Sequence, residues 1–170
     1  MGPIRASGNR FYREQELSVD KIDEKGENLA TYLNSLNPID LDSFNNLIRD
    51  SFGIEVRPQS YTGHLSIEVG KPSENVYDNL ADVGFGFSQL LPLVAQIHNS
   101  FRKRNSPMRS GTQQIMAVEQ PELHLHPAFQ ANLAELFVAA VNTPVKRPGA
   151  SVSNLLLETH SEAMAIIYLS

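Results

Sequence analysis

Between residues 25 and 52 the apolar positions recur every three to four residues. Leu29, Ala30, Leu33 and Leu36 share one face of a helix predicted over residues 25–36, which Asn37-Pro38 ends. Leu41, Phe44, Leu47, Ile48 and Phe52 share a face over residues 41–52, with Gly53 as the C-cap. The rhythm then shortens to two. Residues 54–59 and 64–69 read as strands, the second alternating Leu65, Ile67 and Val69, with Tyr61-Thr62-Gly63 as the turn between them. Residues 71–79 read as a polar loop. The segment before this region, up to about residue 19, is mixed and polar, with Arg5, Arg10 and Arg13 interleaved with Phe11 and Tyr12.

From Val83 the pattern alternates helix and strand. Ser88 is placed to cap a helix running to about Arg104, with Pro92 at the end of its first turn. After a polar loop over residues 104–112, a continuous apolar strand is predicted at 113–119. A helix follows from Pro127, with Phe129, Leu133, Leu136, Phe137 and Ala140 on one face. Residues 143–149 form the next loop, residues 153–158 a second apolar strand, and residues 162–169 a final helix. This alternation is that of an α/β fold, a parallel sheet covered by helices. The chain therefore divides into an α/β arm and linking segment, residues 1–82, and a core, residues 83–170.

Composition adds bounds. The 170 residues suffice for one domain with a real core, and 41% apolar with 19% charged residues is ordinary for a soluble globular protein. A net charge of −5 provides no global basic field for nucleic acid. Arg102-Lys103-Arg104, with Arg109 beyond, is a local exception that also suits a solvated helix end, where cations complement the dipole. The absence of cysteine excludes disulfides, thiolate zinc sites and cysteine nucleophiles, and is compatible with the cytosol. No apolar run reaches membrane-spanning length and no secretory signal opens the sequence, so a cytoplasmic protein without membrane contact is expected.

The densest chemistry lies at residues 114–127, QIMAVEQPELHLHP. Ile115 to Val118 run straight into Glu119. A short apolar run fits a strand buried on both faces of a parallel sheet, and a carboxylate at its end sits where open α/β folds bind ligands. The reading is a Walker B strand with Glu119 at the Mg²⁺ position. Upstream, residues 82–94 read DVGFGFSQLLPLV, a glycine-bracketed turn feeding an apolar helix. Such a helix start leaves amides unpaired beside a positive dipole end and suits an anion. Downstream, residues 152–162 read VSNLLLETHSE, a second buried strand followed by Thr159-His160-Ser161.

A glycine-rich helix start, a strand ending in a carboxylate and a strand followed by His, in that order, resemble the signature motif, Walker B and switch histidine of ABC-type ATPases. The similarity is greatest to a bacterial branch of AAA-named, ABC-like ATPases near the overcoming-lysogenization and recombination-repair proteins. There Walker B reads like IEEPELHLHP, the switch like ETHSE and an upstream segment like LGPIR. This chain has VEQPELHLHP, LETHSE and Met1-Gly2-Pro3-Ile4-Arg5. The resemblance covers nearly the whole chain and implies part of a P-loop NTPase head that binds and hydrolyses ATP with Mg²⁺. In it Glu119 would hold Mg²⁺, Gln120 would orient water, and His160 would contact the γ-phosphate. Gly84, Gly86, Ser88 and Gln89 would meet the γ-phosphate of the opposite subunit in a head-to-head homodimer. Gly84 stands where that signature has Ser, while Gly86 keeps the second glycine. Gln120 stands where the wider superfamily has Glu. Its amide can position water but cannot accept a proton at neutral pH, so either hydrolysis is slow or another carboxylate such as Glu122 helps.

No phosphate-binding G-x-x-x-x-G-K-[ST] motif occurs. The only Gly-Lys pair is Gly70-Lys71, followed by Pro72. The expectation is the later part of an ATPase head whose Walker A segment belongs to a missing N-terminal stretch or another chain. Two other readings stay open. One is a non-catalytic interaction module that retains the fold. The other is a metal enzyme built on Glu122, His124 and His126, an E-x-H-x-H pattern that Glu119 or His160 could complete, although Pro121 and Pro127 make this segment look like a loop. In the resembled family that loop, the D-loop, lies along the dimer interface. His64 and His98 have no comparable context. Nucleic-acid contact enters by analogy alone.

Overall fold

The computed structural model describes residues 8–13, 22–23, 25–105, 114–142 and 153–167. They fall into two compact units, within residues 5–95 and within residues 96–170. The division lies inside helix α3 (Phe85–Asn105).

The first unit contains β1 (Tyr12–Arg13), α1 (Leu29–Ser35), α2 (Pro38–Phe52), β2 (Glu55–Tyr61), β3 (His64–Lys71) and β4 (Val76–Asn79). β3 is central. One edge pairs antiparallel with β2 from Glu55↔Gly70 to Tyr61↔His64. β1 (Tyr12↔Leu65) and β4 (Gly70↔Tyr77) also pair antiparallel with β3. Leu65, Ile67 and Val69 are buried, as their alternation predicts, with Leu29, Ala30 and Leu33 of α1 and Phe44, Ile48 and Phe52 of α2. Asn45, buried within α2, closes the β2 side. Its side-chain amide donates to Val56 O at 3.1 Å and accepts from Val56 N at 2.9 Å, replacing a strand partner.

Element limits differ from the sequence reading for identifiable reasons. The first helix starts at Leu29 because the Asp23 carboxylate gathers the amides of Lys25, Glu27 and Asn28 into a turn, at 2.8, 3.0 and 2.7 Å. Asn37-Pro38 starts a helix as well as ending one. Asn37 accepts from Asp40 N at 2.9 Å and Pro38 occupies the first helical position, where its missing N–H costs nothing. Gly53, at φ 70°, ends α2 as expected. The predicted loop at 71–79 contains β4. Its polar residues concealed an edge strand, and Gly70 makes the close pairing feasible: a Cβ there would overlap the Val76 carbonyl and the Tyr77 ring. Across this sheet the Arg57 guanidinium lies 3.6 Å over the Tyr77 ring centroid. Burial pushes the Tyr12 phenol up, partly offset by the bond it accepts from Asn9 N.

The second unit contains β5 (Gln114–Glu119), α4 (Pro127–Asn142), β6 (Ser153–Glu158) and α5 (Glu162–Ile167). β5 and β6 are parallel and in register from Gln114↔Ser153 to Glu119↔Glu158, as the two apolar runs predict. The predicted strand start at residue 113 and helix end at 169 lie outside the described residues. One sheet face carries Met116, Val118, Leu155 and Leu157, with Val118 buried. α4 buries Leu133, Ala134, Leu136, Phe137 and Ala140, and α5 buries Met164. The other sheet face leaves Ile115 71% and Leu156 67% exposed.

Candidate functional site

Parallel in-register pairing carries both strands to one edge, where Glu119 and Glu158 end them side by side. Glu119 is half-buried and Glu158 exposed. The ladder continues one step further, with Gln120 N donating to Glu158 O at 2.7 Å. Gln120 then turns the chain at φ 46°, a left-handed conformation costly for a residue with a side chain. The turn that follows is held by Leu123 N to Gln120 O (3.2 Å) and Leu125 N to Glu122 O (3.1 Å). Pro121, Glu122 and Leu125 are buried, while His124 and His126 are exposed.

This segment is a loop, as its two prolines suggest. His124, at φ 62°, interrupts the alternation that would place it with His126 on one strand face. His126 is engaged by the following helix: its Nδ1 accepts from Ala128 N at 3.3 Å and its carbonyl accepts from Phe129 N at 2.8 Å, capping α4 ahead of Pro127. Among the described residues no group of three His, Asp or Glu side chains could hold a metal ion. Zinc or iron sites draw on three or four protein ligands. Magnesium takes one or two carboxylates and keeps its remaining positions for water and phosphate, so the Glu119–Glu158 edge fits that ion. Glu158, which the sequence reading passed over, ends the second apolar run beside Glu119.

Beyond β6, His160 is exposed and its backbone N–H donates to Glu122 Oε1 at 2.7 Å. Ser161 follows, its hydroxyl donating to Gln130 Oε1 at 2.7 Å while its carbonyl receives Met164 N and Ala165 N at the start of α5. Gln130 also donates from Nε2 to Leu125 O at 3.0 Å. Glu119, Gln120, Glu122 and His160 thus belong to one edge of one unit.

Gly84, Gly86, Ser88 and Gln89 lie in the first unit. Gly84, exposed and at φ 102°, precedes α3, which begins at Phe85 rather than at a Ser88 cap. Ser88 and Gln89 are therefore inside the helix, with both side chains buried. Ser88 faces Gly8, where a Cβ would come within 2.6 Å of its Oγ. Pro92 falls in the second turn, so the Ser88 carbonyl loses its i+4 amide. The glycine turn is pinned from below: Leu80 N donates to Ile67 O at 2.8 Å, and Asp82 pairs with Arg10 at 2.7 Å. An open cleft of this unit, about 520 Å³ and lined by Phe11, Tyr61, Thr62 and His64, holds none of these residues.

Residues 12–165 match the family described as AAA ATPase domain, which is most of the chain. The chain belongs to the AAA ATPase domain family. Solved structures with a similar fold include an Smc head domain with an extended coiled coil bound to the C-terminal domain of ScpA, derived from Pyrococcus furiosus. Its TM-score is 0.51 and its identity 16%, over 75% of this chain and 29% of that one. An SmcHead bound to the C-winged helix domain of ScpA gives 0.51 and 17%, over 75% and 36%. At such identity the likeness is one of fold, that of an ABC-like P-loop ATPase head, and this AAA ATPase domain spans 29% and 36% of those chains. Comparison with curated proteins gives no match. Among the described residues no helix is long and apolar enough to cross a membrane.

Proposed function

We propose that this AAA ATPase domain contributes the Walker B and switch edge of an ABC-like head that binds and hydrolyses ATP, with Walker A supplied by a segment or chain beyond this sequence. The observation that carries the reading is the pairing of Glu119 with Glu158 at one carboxyl edge, with His160 two residues further on. Mg²⁺ held at this edge would supply positive charge against the charge that develops on the transferred phosphate. Glu119 would hold the ion, and Gln120 would orient water through its amide. His160, exposed with its backbone fixed, would hydrogen-bond the γ-phosphate. The first-turn amides after Gly84 would meet phosphate from a second head, in a head-to-head dimer. The exposed Ile115 and Leu156 support the need for another segment, because parallel sheets are stable when covered on both faces.

A second reading, a non-catalytic module retaining the fold, draws support from the burial of Ser88 and Gln89, which keeps both side chains from a ligand. One experiment separates the two. The 170-residue chain should bind Mg-ATP weakly in calorimetry, the chain joined to a Walker A segment should bind and hydrolyse it, and Glu119→Ala should weaken the Mg²⁺ dependence. Tight Mg-ATP binding by the isolated chain overturns the half-site. Binding without hydrolysis in the joined protein favours the module.

A further inference from the structure

We propose that Glu122 is a positioning residue that fixes the backbone of His160, and that it is not the base that Gln120 lacks. The step from this contact to turnover rests on the ATPase reading above; the contact itself does not. His160 lies beyond the last paired residue of β6, so its N–H has no ladder partner. Glu122, 38 residues earlier in the chain, supplies one: Oε1 accepts from His160 N at 2.7 Å, within the range of charge-assisted bonds. Gln130 adds a second tie one residue on, accepting from Ser161 Oγ at 2.7 Å while donating to Leu125 O at 3.0 Å. The loop after β5 and the loop after β6 are thereby joined twice. A backbone held at its N–H aims its side chain, and the His160 imidazole stays exposed.

Burial argues against proton transfer at Glu122. The residue is 8% exposed, one oxygen is committed to His160, and Oε2 is buried with no hydrogen-bond partner among the described residues. Glutamine would make the same bond to His160 N through its carbonyl oxygen without burying a carboxylate. Glu122→Gln therefore separates positioning from base catalysis, and Glu122→Ala removes both.

Amide exchange followed by NMR on the 170-residue chain tests the contact. The His160 amide should be protected in the parent and in Glu122→Gln, with its proton shifted downfield. In Glu122→Ala it should exchange about ten-fold faster or more, as expected for loss of a hydrogen bond to a charged group. Turnover in the chain joined to a Walker A segment tests the role. Glu122→Gln should retain kcat, Glu122→Ala should lower it, and Glu122→Ala combined with His160→Ala should be no slower than His160→Ala alone. An unprotected His160 amide in the parent overturns the proposal, as does a kcat in Glu122→Gln as low as in Glu122→Ala. Effects that add in the double variant would restore Glu122 as an independent catalytic group. If the joined protein has no ATPase activity while the amide behaves as stated, the ATPase reading fails and the positioning contact stands. If Glu122→Ala does not fold, the parent and Glu122→Gln measurements still decide.

Discussion

The uncovered sheet face can be tested by comparing one perturbation in two contexts. Ile115 and Leu156 stand 71% and 67% exposed on a two-stranded parallel sheet. Fully burying such a side chain stabilises by about 1.5–3 kcal/mol, so covering the two-thirds still in water would bring roughly 1–2 kcal/mol per residue. In the isolated chain, Leu156→Ala deletes carbons that are mostly hydrated already and should cost less than about 1 kcal/mol. In a protein extended by the segment that covers this face, the same change becomes a core truncation costing about 2–4 kcal/mol. For Ile115→Ala with Leu156→Ala the excess sums to about 2–4 kcal/mol, a melting difference on the order of 5–10 °C. Calorimetric melts of the chain and of the extended protein, each with and without the two substitutions, supply the comparison. Equal losses in both contexts would mean that the face stays in water, and the argument for a covering segment would fail.

The first unit offers two tests of packing. Gly70→Ala should destabilise it by about 1–3 kcal/mol, read as a lower denaturant midpoint, since the new methyl would overlap the Val76 carbonyl and the Tyr77 ring. Asn45→Ala should cost about 2–4 kcal/mol by stranding the buried N–H and C=O of Val56; an unchanged midpoint would show that water replaces the amide. At the sheet edge, Gln120→Glu should raise phosphate release by the joined protein about ten-fold or more if proton acceptance limits hydrolysis. A flat or reduced rate would show that positioning of water suffices.

Periodicity made much of this fold legible. The four-residue spacing of Phe44, Ile48 and Phe52 and the alternation of Leu65, Ile67 and Val69 mark faces that are buried. Two apolar runs of similar length, each ending in Glu, imply parallel neighbours, and β5 and β6 pair in that way. What escaped depended on side chains acting away from their own pattern. Nothing periodic tells that Asp23 will hold three amides and shorten a helix, or that a polar stretch will pair with β3 once Gly70 admits it. Pro38 shows the same limit from the other direction, because a residue that stops one helix is equally suited to begin the next.

Motif order located the sheet edge, but it could not assign the work within it. A string such as ELHLH gives equal standing to three polar residues, and folding separates them. Glu122 turns inward to hold His160, His126 caps the next helix, and His124 occupies a left-handed turn position with its side chain exposed. Likewise Ser88 and Gln89 look like polar ligands in a glycine-rich string, yet a helix that begins at Phe85 rotates both into the interior. Two non-glycine residues, Gln120 and His124, hold positive φ within five residues of each other, and the buried Glu122 carboxylate accepts from a backbone N–H, so the conformation of this loop does not follow from its residue types one by one.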